Sequence, residues 1–445
     1  MYKDTIAAIS TPVGEGGIGI VRLSGPKARA IAEKLFDHTL SDHRLVYGHI
    51  VDPKSGDVVD EVLVSYMKAP NTYTREDVVE INSHGGAMPL QRVLELVLTA
   101  GARLANPGEY TLRAFLNGRI DLAQAESVLD VIKAKTEASL RLAVSGLKGR
   151  LSGELKAVRS ELISVLAYLT ARIDFPEDEV EAQDVQPPLE QCRERLGDLI
   201  ASADTGIAYR QGVRTAIVGR PNVGKSSLLN LLLREDRAIV TEVPGTTRDT
   251  VEEVVNIKGV PFVLIDTAGI AFSKDVVESL GIVRSRQAIE MADFVLLVID
   301  QSEKLMHYDR EIMELLEGKT VLVVGNKSDL PPKDVIKDIA WPVVSVSALS
   351  GKGLHVLEGS MVEAVLGGKV ISSDAALVTN PRHKALLTNA YDNLVQAQKS
   401  IKGGMPEDFI SIDVTAALTT LGQITGDTVT EELLETIFSQ FCIGK

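Results

Sequence analysis

Gly219-Arg220-Pro221-Asn222-Val223-Gly224-Lys225-Ser226 is the stretch that decides the fold of the chain's centre. It has the G-x-x-x-x-G-K-S spacing of a phosphate loop. The apolar run Thr215-Ala216-Ile217-Val218 precedes it, and the helical pattern Ser227-Leu228-Leu229-Asn230-Leu231-Leu232 follows. That strand–loop–helix order is the context the motif needs. Gly219 and Gly224 let the backbone curl so that its N–H groups surround phosphate oxygens. The N-terminus of the following helix adds a favourable field. Lys225 is placed to reach the β- and γ-phosphates and is a candidate catalytic residue, while the Ser226 hydroxyl suits Mg²⁺. Asn222, Val223, Gly224, Lys225, Ser226 and Ser227 together form the candidate phosphate-binding set.

Working outward, four further nucleotide elements follow in order. Gly245-Thr246-Thr247-Arg248-Asp249 lies between two β-like runs. Loops of this kind give a threonine hydroxyl to the metal and close on the γ-phosphate. Asp266-Thr267-Ala268-Gly269 ends the apolar run Phe262-Val263-Leu264-Ile265; Asp266 suits Mg²⁺ through water, and the Gly269 N–H suits the γ-phosphate. Asn326-Lys327-Ser328-Asp329 follows Val321-Leu322-Val323-Val324. An ionised Asp329 is acceptor-only and matches the ring N–H and amino group of guanine, which adenine lacks. Ser347-Ala348-Leu349 ends Val343-Val344-Ser345-Val346 and offers N–H groups to the guanine carbonyl oxygen. Five elements in this order, each after a strand, predict a domain that binds and hydrolyses GTP.

Composition sets bounds on the rest. The 445 residues leave room for two to four domains. With 45% hydrophobic and 24% charged residues the chain reads as globular. Two cysteines far apart, Cys192 and Cys442, give neither a disulfide framework nor zinc spacing. No signal-peptide pattern and no membrane-length apolar run is visible, so the expectation is a cytoplasmic protein without membrane contact. The terminal Cys442-Ile443-Gly444-Lys445 fits a prenylation box poorly. Net charge is −14, which speaks against a broad nucleic-acid-coating surface. Residues 1–120 are nearly balanced, with 13 Lys+Arg against 14 Asp+Glu, so any nucleic-acid contact is expected to be local.

The periodicity predicts an α+β domain over 1–118. Strands are expected at 5–9, 18–23, 46–51, 58–66 and 78–81, with a hairpin turn at 52–57 and helices at 26–36 and 89–100. Gly14-Glu15-Gly16-Gly17-Ile18-Gly19 matches G-x-G-x-x-G literally. A dinucleotide fold needs a helix to start at its last glycine, whereas a β-like run follows here. Residues 119–210 read as helical. Leu151, Leu155, Val158, Leu162, Val165 and Leu169 make a heptad seam, suited to a bundle helix or an intermolecular coiled coil. Phe175-Pro176-Glu177-Asp178-Glu179 breaks it as an acidic loop. The nucleotide domain occupies 211–371, with its last helix at 354–366. Helical patterns resume over 372–445, at 382–401, 407–421 and 428–441. Neither helical block has an obvious core of its own, so the economical reading is one helical bundle into which a Ras-like domain is inserted.

On these motifs, with Asn117-Gly118-Arg119-Ile120-Asp121-Leu122-Ala123-Gln124-Ala125-Glu126 and the terminal Phe441-Cys442-Ile443-Gly444-Lys445, the chain resembles the MnmE (TrmE) family of tRNA-modification GTPases over essentially its whole length. The resemblance implies an N-terminal folate-binding-like domain that forms a homodimer, a helical domain and the inserted GTPase domain. It implies a flavin-dependent partner of the MnmG (GidA) kind, in a heterotetramer. Together the two would install a carboxymethylaminomethyl-type group at the 5-position of wobble uridine in certain tRNAs. It implies Mg²⁺ on Ser226 and Thr247. It also implies K⁺ on Asn222 and on oxygens around Thr241, Val243 and Thr246, and K⁺-driven association of GTPase domains. A 5-formyltetrahydrofolate site would use Arg22, Glu80, Arg119 and Lys445; the family often has lysine at the place of Arg119.

Ile270 stands where Ras-type enzymes carry a water-orienting glutamine, and an isoleucine cannot orient water. The family uses a glutamate in the next helix, matched here by Glu278, which read alone is a solvated helix residue. Arg22 and Glu80 read alone are a surface pair. Cys442 has no visible base and suits a structural or positioning role. Two other readings compete. An Era-type RNA or ribosome-assembly GTPase needs a basic RNA module, yet residues 372–445 hold only five Lys+Arg. A dynamin-like mechanical GTPase needs a lipid-binding segment, and none is visible.

Overall fold

The computed structural model describes residues 3–12, 14–175, 181, 183–236, 253–265, 278–333, 339–367 and 378–445; for 234–236 and 278–284 it describes the backbone alone. These residues form two compact units, one of 3–129 with 422–445, the other of residues between 130 and 421.

The first unit is built on a six-stranded sheet with strands β1 (Ile6–Ile9), β2 (Gly16–Ser24), β3 (Arg44–Val51), β4 (Val58–Met67), β5 (Val78–Gly85) and β6 (Arg103–Leu104) in the order β3-β4-β5-β2-β1-β6. β3 and β4 pair antiparallel around the turn at 52–57, the expected hairpin. The G-x-G-x-x-G segment runs straight into β2, so the dinucleotide reading is excluded. Gly19 serves close packing instead: a Cβ there would meet the Leu90 side chain at 2.6 Å. Alternation along β2 sends Gly19, Val21 and Leu23 to the core and leaves Arg22 on the opposite face. The helices Ala28–Glu33 and Ala87–Thr99 cover the core face through Ile31, Leu90 and Val93. The helix Glu109–Leu116 brings Tyr110 against Ile6 and Ala8. Ile437, Phe438 and Phe441 then pack with Ala114, Leu122 and Leu129, so the chain's last helix, Glu431–Phe438, belongs to this unit's core.

A buried charge network underlies the same helix. Arg113 is fully buried and donates to Glu109 at 2.9 Å, to Glu76 at 3.2 Å and to Asp4 at 2.9 Å. Arg103 shares Glu109 at 2.6 Å. Burial alone would raise the Glu109 carboxyl, but hydrogen bonds from Arg103, the Asn106 N–H and Arg113 hold it below the ordinary glutamate value.

The second unit carries the nucleotide sheet: β7 (Val213–Val218), β8 (Glu253–Ile257), β9 (Val260–Ile265), β10 (Phe294–Asp300), β11 (Thr320–Asn326) and β12 (Val343–Ser345), in the order β12-β11-β10-β7-β9-β8. All pairs are parallel except β8 with β9. Every residue of β10 is buried, as a central strand covered on both faces must be. Leu228, Leu232, Leu357 and Met361 fill one face, and Ala288, Ile289 and Ile312 the other. This is the Ras-like α/β architecture expected from the motif order.

The sheet is inserted between two packed helices. Gln186–Gln211 leads into β7, and the chain resumes beside it as Pro381–Lys402. Lys384 pairs with Asp204 at 2.6 Å, and Arg193 donates to the Tyr391 hydroxyl at 2.7 Å. All six residues of the predicted seam are buried on Arg150–Asp174. Cys192 packs there, its thiol directed at the Val158 carbonyl. The acidic loop at 176–179 lies outside the described residues.

Candidate functional site

β7 ends at Val218, and the phosphate loop turns directly into the helix Lys225–Asp236. Gly224 has φ +97°, and a Cβ there would sit 2.2 Å from the Asn326 amide nitrogen. Only glycine allows both that conformation and that approach. Asn222 is exposed at φ +65°, while Val223 is fully buried under the loop. Lys225 donates to the carbonyls of Gly219 at 2.7 Å and Arg220 at 2.8 Å. Burial lowers its ammonium to about 8. Ser226 and Ser227 lie exposed at the head of the helix. Arg220 is held from outside by Glu303 and lies 3.5 Å from buried Asp309.

The base-reading side is joined to this loop. Asn326 donates to the Val223 carbonyl at 2.8 Å and accepts from the Ala348 N–H at 3.0 Å. One buried amide thus ties the phosphate loop to the Ser347-Ala348-Leu349 turn. Lys327 pairs with Asp300 at 2.6 Å. Burial pushes the Asp300 carboxyl up, but Lys327 and Ser302 hold it below the ordinary value. Ser347 lowers the Asp329 carboxyl below its ordinary value, so Asp329 is an ionised acceptor. Gly224, Ser227, Asn326, Lys327, Asp329, Ala348 and Leu349 border one cavity of about 450 Å³, of a size for a small ligand.

Thr241, Val243, Thr246, Thr247, Asp266, Thr267, Ala268, Gly269 and Ile270 lie outside the described residues. Glu278 opens the helix Glu278–Met291, and its side chain lies outside them too. The hairpin β8–β9, which joins these two loops in sequence, is described. Its tip meets the N-cap of the helix Glu137–Leu147, where Thr136 donates to the Gly259 carbonyl at 2.8 Å; Ser139 of that helix donates to the Tyr209 carbonyl of the helix Gln186–Gln211 at 2.6 Å.

The first unit holds a second cluster. Arg22 and Glu80 are register partners on β2 and β5, bonded at 2.8 Å. Arg22 also donates to the Gly444 carbonyl at 3.2 Å, which brings the terminal Lys445 backbone to the same place. Arg119 lies over the Tyr73 ring at 4.8 Å, and Arg22 beside the Tyr110 ring at 5.8 Å. Burial raises the Tyr73 phenol, while Thr111, Arg119 and Arg22 pull it back. Cys442 is exposed, and its carbonyl accepts from the Gly108 and Lys445 N–H groups.

Sequence reasoning did not single out Tyr73, Tyr110, Arg220 or Asp300. A signal existed for Asp300, an acid ending the apolar run Phe294–Ile299 as Asp266 ends its own run. The two tyrosines carry no local signal. Among the described residues no His/Cys/Asp/Glu group is arranged to hold a metal ion, and no helix is long and apolar enough to cross a membrane.

Residues 5–119 match the family described as GTP-binding protein TrmE N-terminus, and residues 122–442 the family described as MnmE helical domain. A tRNA modification GTPase MnmE of Alkaliphilus oremlandii is 50% identical over 463 aligned positions, covering all of both chains. Proteins of the same description from Chloroflexus aurantiacus and Geobacillus thermodenitrificans are 51% and 49% identical, covering 100% and 99% of each chain. A solved structure of an Aquifex aeolicus Era variant bound to GDP and aluminium fluoride shares 32% identity over 41% of this chain and 67% of its own, at a TM-score of 0.28 that carries no argument.

Proposed function

The chain belongs to the MnmE family of tRNA modification GTPases, and on that premise we propose that its GTP cycle drives modification of the wobble uridine in certain tRNAs. The observation that carries this is the cavity bordered by Gly224 of the phosphate loop and by Asn326 and Asp329, on a chain whose whole length aligns with those relatives. Hydrolysis acts here as a switch.

The residues divide the work. Asp329, an ionised acceptor, accepts the guanine N–H groups, and the Ser347-Ala348-Leu349 turn offers backbone N–H to the base. Lys225 leaves the Gly219 and Arg220 carbonyls for the phosphates. Glu278 is the proposed orienter of the attacking water. Ser226 is a hard hydroxyl donor at a helix head and fits Mg²⁺, with Thr247 as its proposed companion. The exposed Asn222 carbonyl fits K⁺, with Thr241, Val243 and Thr246 completing that set. Bound there, these ions would supply positive charge against the charge that develops on the transferring phosphoryl group.

The Arg22, Glu80, Arg119 and Lys445 cluster is the proposed 5-formyltetrahydrofolate site. Its donor set fits: a carboxylate suits an amidine-like pterin edge, and guanidinium groups suit the folate carboxylates. Bound there, the folate would supply a one-carbon unit. Leu45, Tyr47 and Leu63 stand exposed on the sheet, with Tyr47 opposite Leu63 across the strands. That apolar face supports a homodimer through residues 1–118. The heterotetramer with a flavin-dependent MnmG (GidA)-like partner and a cytoplasmic setting complete the reading. Residues 119–210 with 372–445 are the proposed helical domain, of which 119–129 and 422–445 pack in the first unit, and 211–371 the switch domain. The Thr136–Gly259 grip links the β8–β9 hairpin to a helix and is a physical route from the switch loops.

The test is reconstitution with the flavin-dependent partner and an unmodified tRNA transcript. Product with GTP and none with a non-hydrolysable analogue supports the switch. Equal product with either overturns it.

A further inference from the structure

The tRNA reading leaves open where an acidic protein meets a polyanion. One segment answers in charge. Between residues 133 and 159 seven Lys or Arg stand against two Asp or Glu, in a chain whose net charge is −14. Lys133, Lys135, Arg141, Lys148, Arg150 and Lys156 are exposed. Among the described residues Lys133, Lys135, Lys148 and Lys156 enter no ion pair.

The fold gathers this charge at a corner. The helix Glu137–Leu147 ends at Lys148, and Arg150–Asp174 begins after the single residue Gly149 at φ +77°. Lys148 and Arg150 therefore sit in one turn, with Lys156 about 9 Å further along the helix axis. The outer face of that helix carries Gly153, Ala157 and Ser160, all exposed, which lets a polymer backbone approach. The two acids present are Glu137, paired with Arg141 at 3.3 Å, and exposed Glu154.

We propose that this basic corner, Lys148, Arg150 and Lys156, is the surface that receives the phosphate backbone of tRNA; it rests on the tRNA reading above. The segment contains no Phe, Tyr or Trp, so it offers no platform for stacking bases. Its contacts are electrostatic and independent of base sequence. A lipid surface is the lesser match, because Leu140 is the large apolar side chain the Glu137–Leu147 helix exposes, too little for insertion.

The experiment is tRNA binding by the full chain, using an unmodified transcript with uridine at the wobble position and a series of salt concentrations. K148E/K156E is expected to weaken binding about tenfold or more and to flatten the salt slope by about 1.5. K148R/K156R is expected to bind as the parent does, and the unfolding midpoint reports that both variants fold. Parental affinity and slope in K148E/K156E overturn the surface. So does loss of binding to phosphatidylserine vesicles with tRNA binding unchanged. If the parent binds no tRNA even at low salt, the tRNA reading itself fails, a result distinct from a misplaced surface.

Discussion

The Asn326 side-chain amide donates to the Val223 carbonyl at 2.8 Å, joining the guanine-reading segment to the phosphate loop across 103 residues of chain. Both groups are buried, and the same side chain accepts from the Ala348 N–H at 3.0 Å. Asn326→Ala leaves a buried carbonyl and an N–H without these partners, a loss of about 1–3 kcal/mol each. GTP affinity should fall by at least about tenfold, with a lower unfolding midpoint. A nucleotide titration and a thermal melt check both.

Asp329→Asn replaces an acceptor-only carboxylate with an amide that turns a donor toward the guanine N–H. A hydrogen bond to a charged group is worth about 1.5–3 kcal/mol, so GTP should bind about tenfold to a hundredfold more weakly. Xanthosine triphosphate, with the reversed pattern, should bind better to the variant than to the parent. Competition binding measures the exchange.

Lys225 is lowered to about 8 by burial. Below that pH the ammonium is present to meet phosphate; above it the nucleotide-free protein increasingly holds a neutral amine. GTP affinity should therefore weaken as pH rises through about 8. Lys225→Met should bind weakly at every pH and show no such slope. Binding curves at pH 7 and pH 9 decide this.

Arg113 neutralises Glu76 and Glu109 inside the first unit. Arg113→Leu leaves buried Glu76 without its guanidinium and Glu109 with Arg103 alone, and should cost about 3–5 kcal/mol of stability. Glu109 is held below its ordinary value, so its contribution is complete above the unfolded-state pKa of 4.5 and is lost as pH falls through the folded one. Acid titration of the parent should show weakening below about pH 4.5, and Glu109→Gln should flatten that dependence.

Arg22→Ala or Glu80→Ala should weaken 5-formyltetrahydrofolate binding and leave GTP binding as it was. Calorimetry on the full chain reads both ligands. No folate heat from the parent contradicts the assignment of that site.

Much of this was legible because periodicity and motif order are local. The seam from Leu151 to Leu169 is buried residue for residue, and the β-run after Gly19 defeated the dinucleotide match. The helix read at 354–366 spans Leu354–Leu366. What stayed hidden depends on distant partners. Tyr73 meets Arg119, and Arg113 meets Asp4 and Glu76, through tertiary packing that no spacing records. The helix Glu431–Phe438 reads from sequence as one more amphipathic segment, and its place against Ala114 and Leu122 follows from Phe438 and Phe441 finding a core far upstream. The basic corner at 133–159 is diluted in the charge balance of the whole chain and emerges once the turn at Gly149 brings Lys148 and Arg150 together.

The most direct measurement of the central claim is the wobble-base composition of tRNA from cells lacking this protein, complemented by the parent or by Asp329→Asn. The account predicts that the modified wobble uridine disappears, returns with the parent, and fails to return with Asp329→Asn at ordinary GTP levels. Unchanged wobble composition in the deletion strain would contradict it.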